Sequence, residues 1–340
     1  MAGRPTIEQL ARIAGVSVAT VDRVINKRAP VRGSTAKRVH EAALEIGFHA
    51  SGLIGQRVRE DLPEYRLGFL LLDIGESFYG EFARQLTDAA ETATDFRGSV
   101  VIDRVSPTAP DAVAAKLLAL GERCMAVAVV APEHPSLGVA VTALAERGVP
   151  VFSLLSDFAA GARRAYVGVH NGKVGRTAAW MIANCARRPG KVALFVGSHR
   201  FHGHEAREMG FRAFMREAAP HLTVLDTLVN HEDPVFTGDA LRELCQGHDL
   251  VGCYIAGGGM EGAVPALREM PRERRPAMIC NELTAVSSAA LADQIVTMVI
   301  STPIRAISRE LVRQMAVSLS GKGHVSDCFL PFEIYLPESI

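Results

Sequence analysis

Along the first fifty residues, apolar positions recur every three or four places. Ile7, Leu10, Ala11 and Ala14 fall at helical spacing, and Thr6 and Gln9 are spaced as a capping box, so a helix is predicted to begin after Thr6. Gly15 breaks it. Ser17 can cap a second helix carrying Val21, Val24 and Ile25 on one face. A third is expected from Ser34 as cap, with Val39, Ala42, Ala43 and Ile46 inward and Gly47 as stop. Helix, short glycine-containing turn, helix is the helix-turn-helix arrangement.

Beyond Leu67 the pattern changes. Near-continuous apolar runs at 66–73, 99–105, 124–131 and 149–155 alternate with helical-looking stretches, and a second series follows at 165–169, 191–197, 222–229, 250–256, 276–280 and 295–300. Such runs read as strands of parallel sheets buried on both faces. The fold class expected is therefore an all-α headpiece followed by an α/β body of two doubly wound parallel-sheet lobes. Ligand would sit at the carboxyl ends of the strands, facing across a cleft.

Charge separates the same two parts. The whole chain of 340 residues is formally neutral, but through Glu60 there are ten Lys and Arg against five Asp and Glu, a net +5 that leaves −5 for the rest. A small basic head on an acidic body points to a polyanion partner for the head alone. The six cysteines (Cys124, Cys185, Cys245, Cys253, Cys280 and Cys328) are scattered with no CxxC, which fits reduced core residues of a cytoplasmic protein. The polar start, Met1 to Pro5, leads into no apolar signal region, and no apolar run approaches the ~18 residues that would span a bilayer. No membrane association, metal or cofactor is expected.

The first residues of the second helix of a helix-turn-helix enter the major groove. Here they are Val18 and Ala19, which can touch a thymine methyl, with Arg23 one turn on, able to pair with guanine O6 and N7. Ser17 and Thr20 have hydroxyls suited to phosphates. Asp22 is out of place among them, because an ionised carboxylate has no donor for a phosphate oxygen. Either it accepts from a cytosine N4 amino group, or it orients a nearby arginine or lysine; the second is the simpler reading.

The stretch TIEQLARIAGVSVATVDRVIN, with Val31, Thr35 and RVHEAALEIGF after it, resembles the headpiece of the lactose-repressor (LacI) family of bacterial transcription regulators. Asp22 departs from the family pattern, where Ser is commoner. The resemblance implies base readers at Val18, Ala19 and Arg23 and phosphate contacts at Thr6, Ser17, Thr20 and Asn26. It further implies a headpiece over 1–49 and a hinge over 50–65 that turns helical only when two hinges meet in the operator's minor groove. The wedge position falls on Arg57, with Val58 beside it; a plain flexible linker is the alternative. An arginine can enter a narrow groove without unstacking it.

The body is similar to the periplasmic sugar-binding proteins that this family uses for sensing, and that resemblance implies three crossings between lobes. They are expected near 162–165, 300 and 321–325, giving lobe one as 66–163 and 301–322 and lobe two as 164–300 and 323–340. Cleft candidates are Phe78 and Tyr79 as aromatic walls, Asp157 after the fourth strand, Arg207 ahead of Gly210 and Phe211, Gly258, and Asn281 with Glu282 where the family commonly has Asp.

Three features invite other readings. Gly257, Gly259 and Gly262 have GxGxxG spacing between a strand and a helix, with Glu282 twenty residues on, as in a dinucleotide fingerprint. The loop sits late in its lobe, however, so a ligand loop open to an anion at the helix N-terminus is preferred. His199, His202 and His204 cluster with Glu205 as in a metal site, but lack a thiol or second carboxylate nearby, so they are expected to line the cleft mouth or cap the helix that bears Arg207. Trp180 lies among small apolar residues and is expected in the core or at a subunit contact. The reading that follows is a homodimeric, ligand-responsive regulator of the repressor type. It binds a roughly palindromic double-stranded operator and senses a sugar, polyol or sugar acid between its lobes. An enzyme with a DNA-binding head, using the Gly257–Gly262 loop for a nucleotide or phosphate, is the alternative. The closing residues FLPFEIYLPESI carry no heptad, so no tail-mediated tetramer is expected.

Overall fold

The computed structural model describes residues 4–74 and 76–340; Met1 to Gly3 of the polar start, and Gly75 ahead of the Phe78–Tyr79 pair, lie outside the described residues. The chain forms two compact units, the first running to Tyr65 and including residues 90–99, the second comprising the remainder.

The head holds four helices: α1 (Ile7–Ala14), α2 (Val18–Asn26), α3 (Gly33–Glu45) and α4 (Ser51–Glu60). The Thr6–Gln9 capping box forms in both directions, and Gly15 takes φ +65°, the left-handed turn that sends the chain into α2. Ser17 caps α2 through the Thr20 amide at 3.2 Å. The third helix begins at Gly33 with Arg32 in the cap position and no side-chain cap, not at Ser34. Leu10, Val21, Val39, Ala43 and Ile54 are fully buried together. Ile54 belongs to the segment expected to be helical only on DNA. In the single chain that segment is already a helix, because burying Ile54 and half-burying Val58 against the three-helix core stabilises it without a partner.

The second unit has two sheets. In chain order the strands are β1 (Glu64–Leu72), β2 (Arg97–Val105), β3 (Ala126–Val129), β4 (Val151–Leu154), β5 (Ala165–Val169), β6 (Gly190–Val196), β7 (Leu222–Val224), β8 (Leu228–Val229), β9 (Leu250–Ile255), β10 (Ala277–Asn281), β11 (Met298–Ser301), β12 (Cys328–Leu330) and β13 (Glu333–Tyr335). One sheet has the order β12-β5-β4-β3-β1-β2. The other runs β13-β11-β10-β9-β6-β7, with β8 also on β6. Both central regions are parallel and fully buried, as their unbroken apolar runs require.

Two lobe boundaries differ from the expected ones. The run at 165–169 pairs in parallel with β4, Phe152 opposite Ala165, so it closes the first sheet instead of opening the second. The first crossing therefore lies between Val169 and the helix Asn171–Cys185. Residues 328–330 return to the first sheet beside β5, whereas 333–335 add an antiparallel edge to the second, so the last crossing lies between Leu330 and Glu333, not at 321–325. An apolar strand buried on both faces carries no mark of which sheet it joins. Among the described residues, no helix is long and apolar enough to cross a membrane.

Candidate functional site

On the head, α2 turns Val21 and Val24 inward and leaves Val18, Ala19 and Arg23 exposed on its outer face. Thr6 and Ser17 are exposed caps, and the Ser17 and Thr20 hydroxyls share a hydrogen bond at 2.9 Å. Asp22 is claimed from within the chain: the Asn26 amide donates to it at 2.6 Å and the Arg28 guanidinium at 3.3 Å. It thus holds Asn26 and Arg28 in place. Arg57 is half-buried on α4, and its Nη1 is buried with no hydrogen-bond partner, so it does not project freely as a wedge.

Between the lobes of the second unit lies a cavity of about 120 Å³. That is on the scale of the ~150 Å³ cavity that takes up one benzene ring, enough for one ring-sized solute. Its walls are the carboxyl ends of strands from both sheets, as doubly wound folds dictate. Leu72 comes from β1, Leu155 and Ser156 follow β4, and Asn171 follows β5. From the other lobe come Arg207 on the helix after β6, Glu232 after β8, Gly257 and Gly258 after β9, Asn281 at the end of β10 with Glu282 just past it, and Thr302 after β11. Phe78 and Tyr79 both line it and meet edge to face at 5.1 Å.

Arg207 is the cation of the cavity. It is 9% exposed and held by the Asn171 side chain at 2.8 Å, to which its Nε donates, and by the Ala256 carbonyl at 2.7 Å. Its Nη2 stands 3.8 Å from Glu282. Glu282 accepts from the Thr302 amide at 2.5 Å and the Thr302 hydroxyl at 2.8 Å. Burial pushes the Glu282 carboxyl up from its ordinary value, against the pull of Arg207 and Thr302. Asn281 is already engaged on both sides: Tyr254 donates to its oxygen at 2.9 Å and its amide donates to the Ile300 carbonyl at 3.1 Å. One donor hydrogen and one lone pair remain for a ligand. Burial, with Glu232 and Glu282 nearby, raises the Tyr79 phenol well above its usual range, so it stays a neutral donor.

Asp157 is not part of this wall. Leu155 takes φ +63° after β4, and the chain turns Asp157 onto Arg163, which donates to it at 2.5 and 2.6 Å. Arg163 also binds Asp327 at 2.7 Å, and the Ser153 hydroxyl donates to Asp157 at 2.6 Å. An arginine with 8% of its side chain exposed must be compensated, and two carboxylates do that; Asp327 is held below the usual carboxylate range by the same contact.

The three histidines separate. His199 pairs with Glu208 at 2.8 Å at the surface, His202 is exposed, and His204 enters the cavity wall. Burial and Arg207 hold His204 down to about 3. It is neutral, its Nδ1 accepts from the Ser198 amide at 3.3 Å, and its Nε2 faces Glu232 at 3.6 Å. The glycine spacing has a packing cause. A side chain at Gly262 would place its Cβ 1.6 Å from the Pro234 carbonyl, where two helices touch, and Gly259 sits at φ +90° before the helix Met260–Arg268. Just ahead of this helix the Gly258 backbone faces the Glu232 carboxyl and pulls its pKa down against burial. Trp180 is 50% exposed, so it is not a core residue.

Asn171, Glu232 and Thr302 are lining residues that the sequence reading does not single out, whereas His204 belongs to the histidine cluster it places at the cleft mouth. Each lies just past a strand end or on the helix that follows, the one signal that would have found them.

The profile described as "Bacterial regulatory proteins, lacI family" matches residues 6–51, and that described as "Periplasmic binding protein domain" matches 67–323. The regulator RegA of Clostridium saccharobutylicum is 38% identical over 89 residues, a match spanning only a quarter of each chain. GalR of Salmonella typhimurium strain LT2 is 24% identical over 265 residues, covering 75% of this chain and 73% of its own. Among solved structures, a putative LacI transcriptional regulator from Bacteroides fragilis superposes with a TM-score of 0.70 at 20% identity, covering 81% of this chain and 98% of that one. An ABC-transporter solute-binding protein from Agrobacterium vitis, bound with alpha-D-tagatopyranose, does so with a TM-score of 0.72 at 17% identity over 81% and 95%.

Proposed function

The chain belongs to the LacI family of bacterial regulatory proteins and carries a periplasmic binding protein domain, and from that premise we propose that it is a sugar- or polyol-responsive repressor acting as a homodimer on a two-fold operator. The observation that carries the proposal is the ring-sized cavity, in which polar groups from both lobes converge beside Phe78 and Tyr79, on a chain whose α2 leaves Val18, Ala19 and Arg23 free. Val18, Ala19 and Arg23 read bases. Thr6, Ser17, Thr20 and Asn26 bind phosphates, with Asp22 orienting Asn26. A solute touching both lobes shifts their equilibrium, and operator affinity with it, and the coupling is reciprocal.

Of the three effector classes, the cavity favours hydroxyl-rich ligands without a carboxylate. Arg207 is already matched by Glu282, and Glu232 and Glu261 add negative charge to the lining. Similar solute-binding proteins are solved with neutral monosaccharides such as D-allose and D-fucose.

The test has two parts. A melting screen of the full chain against sugars, polyols, sugar acids, sugar phosphates and NAD(P) should give one sugar-like class that raises the body's transition by roughly 2–4 °C. An operator recovered by selection from random duplex DNA should then change affinity in the presence of that class. A shift with NAD(P) alone would overturn the proposal in favour of an enzyme.

A further inference from the structure

The cavity is out of electrostatic balance. Among the described residues, its lining carries one guanidinium, Arg207, against the carboxylates Glu232, Glu261 and Glu282, and His204 is neutral. Arg207 is engaged by Asn171, the Ala256 carbonyl and Glu282. Glu232 has a side chain 21% exposed, aimed into the cavity from a residue at φ +61°, and its ionic contact is the neutral His204 at 3.6 Å. No lysine or arginine of the described residues pairs with it. Asp157, which follows β4 in the other lobe, has drawn in Arg163; Glu232 has drawn in no lysine or arginine.

A carboxylate in this setting is poised for a cation that the chain does not supply. The remaining groups suit a hydroxylated ring: Phe78, Tyr79, Phe201 and Met260 give apolar faces, while Asn281 and the Tyr79 phenol offer hydrogen bonds. We propose that the effector is an amine-bearing sugar or polyol whose ammonium group pairs with Glu232 while its hydroxyls meet Arg207, Asn281 and Glu282. This rests on the sensing role proposed above and narrows its ligand class.

Binding of such a ligand requires Glu232 ionised. Burial raises that carboxyl to about 6, with Glu261 adding to the rise and the Gly258 backbone and Arg207 opposing it. His204 stays neutral throughout this range, and the paired Arg207 and Glu282 face the same space. Affinity for an amine that remains protonated should therefore rise about tenfold from pH 5 to pH 7, the change in the ionised fraction of Glu232.

The experiment uses the full chain and matched sets: D-glucose, D-glucosamine and D-glucuronate; D-galactose, D-galactosamine and D-galacturonate; sorbitol, D-glucamine and D-gluconate. Melting shifts are followed by calorimetric affinities at pH 5 and pH 7, for the wild type and for Glu232→Gln. The amine of at least one set should bind at least tenfold more tightly than its neutral counterpart, gain affinity with pH, and lose that preference in Glu232→Gln. The wild-type pH profile keeps the test decisive if the variant folds poorly. Neutral members binding as well as or better than the amines, or an amine preference surviving Glu232→Gln, overturns the amine assignment and leaves the sensing proposal standing. If no member of any set binds while the protein still binds DNA, the amine assignment falls together with the sugar reading.

Discussion

Two carboxylates at the strand ends of the second unit, Asp157 and Glu232, come out differently. Asp157 follows β4 and is gripped by Arg163, a near-buried cation shared with Asp327. Glu232 follows β8 and meets only a backbone group and a neutral imidazole. The contrast teaches that an acid near a cleft is available to a ligand only when no cation elsewhere in the chain has claimed it. Asp22 on the head and Glu282 in the cleft fall between these extremes, one sharing exposed Asn26 and Arg28, the other sharing Arg207 and Thr302.

The sharpest break of this comparison is Arg163→Met. It strips two carboxylates of their common partner, and the expected loss is about 3 kcal/mol in urea unfolding, at the low end for a buried pair because both acids keep some water. Asp157→Asn should cost less and leave sugar affinity unchanged; a loss of sugar affinity with unaltered stability would return Asp157 to the cleft. Arg207→Lys comes next. It keeps the charge but not the fork that holds Asn171 and the Ala256 carbonyl, so affinity for the sugar that shifts the wild-type melt should fall on the order of tenfold to a hundredfold. Operator affinity without sugar should stay the same, which separates a binding defect from misfolding.

Glu232→Gln probes the unclaimed acid. Its folded pKa of about 6 lies above the ordinary 4.5, so burial disfavours the ionised form. Stability is therefore lost as pH rises from 4.5 through 6 and stays lower above that. Discounted for the fifth of the side chain that meets solvent, the effect is about 1 kcal/mol. The variant should melt roughly 2–4 °C higher than the wild type at pH 8 and no higher at pH 4. Equal melting at both pH values would mean that Glu232 is compensated after all. The smallest effect belongs to Asp22→Ser. An exposed pair with Arg28 is worth little for folding, so stability should hold, while Asn26, no longer oriented by Asp22, should bind phosphate less well and weaken operator binding by a few-fold for every sequence alike. A change in base preference would instead assign Asp22 to readout.

The head was legible because its signals are local. Caps lie three residues from the amides they satisfy, and the inward and outward faces of α2 follow from spacing alone. In the cleft, Phe78, Tyr79, Arg207, Gly258, Asn281 and Glu282 come together around one cavity as their strand-end positions suggested. What did not read was pairing at a distance. Nothing next to Asp157 announces Asp327, whose hold on Arg163 depends on β12 returning to the first sheet. Glu232 lies between β8 and a proline-started helix, and only the sheet brings it into one cavity with Tyr79 and Glu282. The last glycine of the GxGxxG spacing has an equally remote cause, the Pro234 carbonyl nearly thirty residues away.

The placement of β12 and β13 also sets an order of assembly. These two short strands supply an edge to each sheet and are translated after every other strand and α-helix of both lobes. The four helices of the head leave the ribosome some tens of seconds earlier at ordinary rates of synthesis. A growing chain thus has all four head helices made before either sheet of the second unit has its last edge strand. Asp327, just ahead of β12, therefore reaches Arg163 only after every residue it must meet has been made.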